Sequence, residues 1–359
     1  MRLINMKTLI WIYTVILLIV LSCKSPTETT DIIQQDTTSH NFNFERWEFG
    51  AHSSSTLFDI AIIDENNIWV VGEIYLNDST GEADPEAYNA VHWDGTRFEV
   101  KKIQTYFRGA LITAPLEGIL AFSQTDIWVV GSLPIYGDGN NWQVYDLRTT
   151  VDPNLSLTSV WGTNTSNIYF GGRSGSMAHY NGNNWEKLTT PSGTDQLDIY
   201  DIQGFKEGEE YKIYAVAAKQ SVNLEKKILK IEGTKVTELP VTGIRASISG
   251  IWGKPGSVYY AVGGEMYKKQ DIKSSEPWVS FQQGITRYYL YSIDGQAEND
   301  IAVCGSYGEL LHYNGSTWKS YREEGAVSAD EFLRVKIKDD IIVSVGYDNP
   351  KAVIIIGKR

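Results

Sequence analysis

Arg108, Arg148, Arg173, Arg245, Arg287 and Arg322 stand out in a chain whose 44 acidic side chains outnumber 32 basic ones, for a formal charge of -12. They are six of the ten arginines beyond residue 23, and Tyr106, Phe107, Tyr288 and Tyr289 lie beside them in sequence. A guanidinium presents a planar fork of donors that matches a carboxylate, and a tyrosine ring adds a flat apolar surface with a polar tip. Together these types suit recognition of carboxylates, acidic sugars or a protein hot spot. The same arginines can instead hold carboxylates of neighbouring loops, and the residue types alone do not choose.

Other chemistry is weaker in the sequence. It contains no GxSxG, Walker A, GxGxxG or HExxH motif, so no portable catalytic or nucleotide-binding signature supports an enzyme. A glycosidase would need two acids about 5–9 Å apart, and the many carboxylates single out no pair. Asp78, Glu82, Asp84 and Glu86 cluster in one insertion without the calcium-loop spacing, which reads as a solvated acidic loop. His92, His179 and His312 recur at equivalent positions of separate repeats, too far apart for one zinc ion with ligands at about 2.1 Å. No metal or cofactor is expected. The acidic surface repels phosphate backbones, which argues against a nucleic-acid partner.

The start of the chain sets the compartment. Arg2 and Lys7 precede a thirteen-residue apolar run, Leu9 to Leu21, the length of a signal-peptide core and short for a bilayer span. Val20-Leu21-Ser22-Cys23 resembles the bacterial lipobox, which implies residues 1–22 as a lipoprotein signal peptide and Cys23 as the lipidation site. Residues 23–44 then read as the lipidated Cys and a flexible polar tether. With Cys23 acylated, Cys304 is the one remaining thiol, and its apolar setting makes it a small buried hydrophobe. Lys24, in place of an Asp after the Cys, favours a bacterial outer membrane lipoprotein on the periplasmic or cell-surface side.

The elements that must position the arginines come from a repeat of about 42 residues. Leu157 to Leu188 and Leu290 to Tyr321 are its clearest copies, and each parses into four short strands, a to d. Asp94-Gly95, Asn181-Gly182 and Asn314-Gly315 are the tight c–d turns. Gly72, Gly131, Gly172, Gly263, Gly305 and Gly346 end strand b, with Ala217 in the seventh copy. The mid-strand-a column Ile60, Ile119, Val160, Ile202, Ile251, Ile293 and Val335 is apolar throughout, as packing between blades requires. Residues 45–359 are therefore expected to form an all-β, seven-bladed β-propeller of four-stranded antiparallel blades. The last copy lacks a strand d, and Asn43 to Phe49 has the pattern to supply it, closing the ring.

That scaffold sorts the candidates. Trp142, Trp185 and Trp318 with Phe98 form a strand-d aromatic column, expected to lock each outer strand to its blade. Strand a also carries Asp59, Gly118, Ser159, Asp201, Gly250, Ser292 and Arg334, one per blade, facing the channel. Small side chains are expected there, and Asp59, Asp201 and Arg334 are the exceptions that could face water or an ion. The b–c and d–a loops emerge on one face, which holds the longest segments, 73–89 and 104–117, and all six arginines.

Tyr169-Phe170-Gly171-Gly172 followed by Tyr180 and Trp185 resembles a kelch repeat, and Asn314-Gly315-Ser316-Thr317-Trp318 resembles the Asp-box turn of sialidase-type propellers. The whole pattern resembles repeats of secreted and lipoprotein propellers of bacteria. A looser likeness, to the propeller lipoprotein of the outer-membrane barrel-assembly machine, implies an envelope scaffold. The resulting expectation is a monomeric, lipid-anchored propeller. Its partner would be an envelope protein or polysaccharide, bound through the b–c/d–a face. A glycan-active enzyme is the alternative.

Overall fold

The computed structural model describes residues 37–219 and 225–359; the expected signal peptide, Cys23 and most of the tether lie outside them. Seven four-stranded antiparallel sheets form the blades of a β-propeller. Blade 1 shows the pattern: strand a is Thr56–Asp64, b Asn67–Ile74, c Tyr88–Trp93 and d Phe98–Lys101. Strand a of blades 2 to 7 is Gly118–Ser123, Leu157–Asn164, Asp198–Glu207, Ile248–Lys254, Leu290–Ala297 and Glu331–Lys338.

Ring closure follows the sequence pattern. Asn43–Phe49 pairs along its whole length with Lys351–Lys358, from Asn43 opposite Lys358 to Phe49 opposite Ala352, as strand d of blade 7. The packed body starts before residue 43. Thr38 donates from its backbone to the Asn314 carbonyl at 3.1 Å, and Phe42 is buried against Tyr321 and His312 of blade 6. Residues 37–42, grouped with the tether by their polar composition, are thus held by Thr38, His40 and Phe42 against blade 6, contacts that composition does not weigh.

The core lies between blades. Leu57, Ile60 and Val70 of blade 1 pack with Val343, Val345 and Ile354 of blade 7, each fully buried side chain contributing about 1.5–3 kcal/mol. The strand-b glycines have a steric cause: a Cβ on Gly172 would sit 2.0 Å from the Ser156 carbonyl oxygen, and one on Gly346 equally close to that of Glu331. Beside this approach, strand a bulges, between Leu57 and Asp59, Leu157 and Ser159, Ile199 and Asp201, and Phe332 and Arg334. A bulge turns the next side chain, so it is the bulge that aims Asp59, Ser159, Asp201 and Arg334 at the channel.

The recurrent histidines and tryptophans are structural. His92 and His179 donate from Nε2 to the side-chain oxygens of Asn67 and Asn167 at 3.0 and 2.8 Å and stack on Trp69 and Tyr169. His312 meets Asp300 at 2.7 Å. The strand-d rings reach further than their own blade: Trp142 packs on Trp69, Trp185 on Trp128 and Trp318 on Phe281, each in the preceding blade.

Candidate functional site

The long d–a segment between blades 1 and 2 folds into its own hairpin, Thr105–Phe107 with Ala110–Ile112. Arg108 and Gly109 turn it with φ of 49° and 88°, and Tyr106 projects from it, 75% exposed. Arg108 lies over the Phe107 ring and pairs with Asp146 at 3.0 Å. Arg148 donates to the Leu155 carbonyl at 2.9 Å. Arg173 places one nitrogen 3.0 Å from both oxygens of Glu117, joining blade 3 to blade 2. Arg245 is exposed, and its backbone N–H donates to the Tyr267 hydroxyl at 3.0 Å. These four arginines hold or decorate separate loops.

Arg287, Tyr288 and Arg322 behave differently, because the structure brings them together. The two guanidinium carbons lie 5.4 and 4.8 Å from the Tyr288 ring centre, within range of a cation–π interaction. Tyr307, absent from the sequence candidates, completes the group with its ring 5.3 Å from Tyr288. It is 67% exposed and held at φ 58°, an uncommon conformation for a bulky residue. Two contacts hold it there: Arg322 Nε donates to its carbonyl at 2.8 Å, and its N–H donates to the Asp330 carbonyl at 2.7 Å. A strained residue displaying an aromatic ring is a feature that clusters at functional sites.

Beside this platform runs a groove of about 380 Å³, lined by Thr286, Arg287, Tyr288, Glu309, Ser320 and Arg322. Glu309 is buried and accepts from the Thr286 and Ser320 hydroxyls at 2.5 Å each, so its charge is committed to the loops. Arg322 also meets Glu323 at 2.7 Å, but Glu323 is 89% exposed, and such a pair contributes little and yields readily to a ligand. The groove can therefore offer two guanidinium groups and the Tyr288 ring to an acidic guest, with the Tyr307 ring packed beside Tyr288.

The channel is the second feature. Arg334 Nε lies 3.1 Å from Asp59 Oδ1, and its Nη1 3.6 Å from Asp201 Oδ1. Desolvation opposes the Arg334 charge, but Asp59 and Asp201 hold its pKa above the ordinary arginine value. Burial pushes the Asp201 carboxyl up, against the pull of Arg334 and Lys336. Arg334 lines both the mouth on the b–c/d–a face, a cavity of about 450 Å³ with Tyr200, Tyr291, Glu117 and Arg173, and the cavity beyond it. The three sequence exceptions thus form one ion-paired partition.

Lys336 and Asp294 belong to the same channel and were not among the sequence candidates. They occupy the strand-a position two residues after the channel column, with Ala61, Leu120, Trp161, Gln203 and Trp252, and the two-residue strand period puts both columns on one face. Elsewhere, Asp84 and Glu86 of the acidic insertion pair with Lys102 at 3.1 and 3.4 Å. Among the described residues no group of three or more His, Cys, Asp or Glu side chains could hold a metal ion.

Fold and site together define the class: a seven-bladed β-propeller with an arginine- and tyrosine-bearing loop face. The sequence matches no family model and no curated protein. Among solved structures it is similar to "YCF48 bound to D1 peptide", with a TM-score of 0.63 and 15% identity over 90% of this chain and 99% of that one. YCF48 from Cyanidioschyzon merolae gives 0.59 and 16% over 87% and 98%. Virginiamycin B lyase from Staphylococcus aureus gives 0.59 and 11% over 88% and 99%. At these identities the likeness is one of fold.

Proposed function

We propose that the chain is a lipid-anchored binding propeller of the bacterial cell envelope. Its b–c/d–a face takes an acidic segment of a partner protein at the Arg287–Tyr288–Arg322–Tyr307 platform. The observation that carries this reading is the convergence of two guanidinium groups on one tyrosine beside an open groove, while Arg108 and Arg173 are engaged with loop carboxylates. A propeller of similar fold has been solved with a peptide bound, which agrees with a peptide guest. The anchor rests on the lipobox-like Val20-Leu21-Ser22-Cys23, and stable anchoring by acyl chains takes more than one of them.

Two experiments test the reading. Synthetic peptides of graded acidity and a panel of uronate oligosaccharides are titrated against the wild type and the Arg287→Ala/Arg322→Ala double variant. Acidic peptides should bind and lose at least about tenfold in affinity in the variant, the effect of one charge-assisted contact. Binding of uronates alone would move the reading to the glycan alternative, and binding of neither would refute it. Separately, Cys23→Ala should release the chain from membranes, and unchanged retention would refute the anchor.

A further inference from the structure

Beyond Arg334, on the side of the a–b turns, the channel opens as a cavity of about 240 Å³. Its three acids are already committed to the ring. Asp59 accepts the backbone N–H groups of Ile60 and Ile119, both at 2.9 Å. Asp201 accepts from Ile251 N–H and Gln203 Nε2 at 3.1 Å each, and Asp294 from Ile337 N–H at 2.9 Å. The donors are far less satisfied. Despite the nearby Asp59 oxygen, no acceptor among the described residues lies along the Arg334 Nε–H. Lys336 has one long bond, 3.4 Å to Asp294. The Ser159 hydroxyl, on a residue 94% buried by its 6% exposure, has no partner among the described residues.

Arg334 and Lys336 are largely enclosed, with side chains 14% and 28% exposed, and cationic donors so placed without aligned acceptors are incompletely satisfied, a cost that an acceptor from outside the chain would relieve. Lys338 at the rim gives its ammonium to the Ile62 and Ile63 carbonyls. Counting it, three cations balance three carboxylates, so an anion would meet a neutral, donor-rich site. Leu120, Ala121 and Trp161 of blades 2 and 3 supply apolar surface in the same cavity. The volume equals about eight waters at their liquid share of ~30 Å³, enough for a carboxylate with a short aliphatic tail.

We propose that this cavity binds a short-chain monocarboxylate, its carboxylate against Arg334, Lys336 and Ser159 and its tail against Leu120 and Trp161. The site lies across the Arg334 partition from the loop face, so it stands or falls independently of the peptide reading.

The test is calorimetric titration of the full chain, in a non-ionic detergent, with butyrate, with neutral butyramide and with chloride. Butyrate should bind at one site, with butyramide weaker by about tenfold or more for want of charge. Lys336→Met should weaken butyrate about tenfold, and Ser159→Ala about threefold. Ser159→Ala removes only an unpartnered hydroxyl, so it keeps the fold and carries the test if Lys336→Met does not fold. Absence of butyrate binding up to about 10 mM overturns the proposal. So does butyramide binding as well as butyrate, chloride binding equally well, or unchanged affinity in Ser159→Ala.

Discussion

Asp59 on blade 1 accepts the backbone N–H of Ile119 on blade 2, across the blade interface, at 2.9 Å. The same contact recurs between Asp201 and Ile251, and between Asp294 and Ile337, at 3.1 and 2.9 Å. Three of the blade junctions therefore carry a carboxylate clamp at the axis. Asp59 does double duty as the partner of Arg334. Asp59→Ala should cost about 3 kcal/mol, because it takes the acceptor from the Ile60 and Ile119 N–H groups and leaves the Arg334 guanidinium with only its longer 3.6 Å contact to Asp201. Asp294→Ala, at a side chain 17% exposed, should cost about 1–2 kcal/mol. Urea denaturation measures both, and a loss below about 1 kcal/mol for Asp59→Ala would remove the clamp from the account.

Asp300 links stability to pH. Burial pushes its carboxyl up, but hydrogen bonds from His312, Arg359 and Gln296 outweigh this and hold its pKa at about 2. A folded value below the ordinary 3.8 means the contribution is fully present above about pH 4 and is lost as pH falls towards 2. Its size is about 2 kcal/mol. Asp300→Asn should be less stable at neutral pH and should lose less on acidification between those limits. Parallel stability curves for the two proteins would contradict the assignment.

Cys304 should be inert in the folded protein. It is fully buried, its Sγ donates to the Phe332 carbonyl at 3.3 Å, and burial pushes the thiol up to about 12. The thiolate is the reactive form. A thiol reagent at pH 8 should therefore label this position only on unfolding. Rapid labelling of the native chain at Cys304 would show that blades 6 and 7 open.

Much of this was readable from residue types. The strand-b glycines and the apolar strand-a column announce the blades because each has a steric or packing cause that repeats. Asp59, Asp201 and Arg334 were legible as exceptions to a small-residue column. Their grouping was not, since ring geometry rather than spacing brings blades 1, 4 and 7 to one axis. Lys336 and Asp294 were within reach by the two-residue period from Arg334 and Ser292. Tyr307 was not, because its exposure depends on a left-handed backbone that no sequence pattern here marks. Six arginines shared a predicted face, yet only the structure shows that Arg287 and Arg322 converge on the Tyr288 ring while Arg108 and Arg173 pair with Asp146 and Glu117.

Ring closure has its own test. Asn43–Phe49 covers the outer edge of Lys351–Lys358, and Trp47 packs on Phe98 of blade 1 at 5.0 Å. Deleting residues 37–49 exposes a long, apolar edge strand, Ala352 to Ile356, of the kind that pairs with other chains. The truncated chain should aggregate on gel filtration, and adding back a peptide of residues 37–49 should restore the monomer. A truncated chain that stays monomeric and as stable as the wild type would contradict closure as a source of stability.

Binding at the platform is the central claim, and site-specific photocrosslinking in intact cells tests it most directly. A photoreactive residue replaces Tyr307 on the loop face or, as control, Tyr211 at an a–b turn on the opposite face, 67% and 42% exposed. The account predicts a discrete protein adduct from position 307, lost when Arg287 and Arg322 are both changed to Ala, and none from position 211. Adducts at 211 alone, or adducts at 307 that persist without the two arginines, would contradict it.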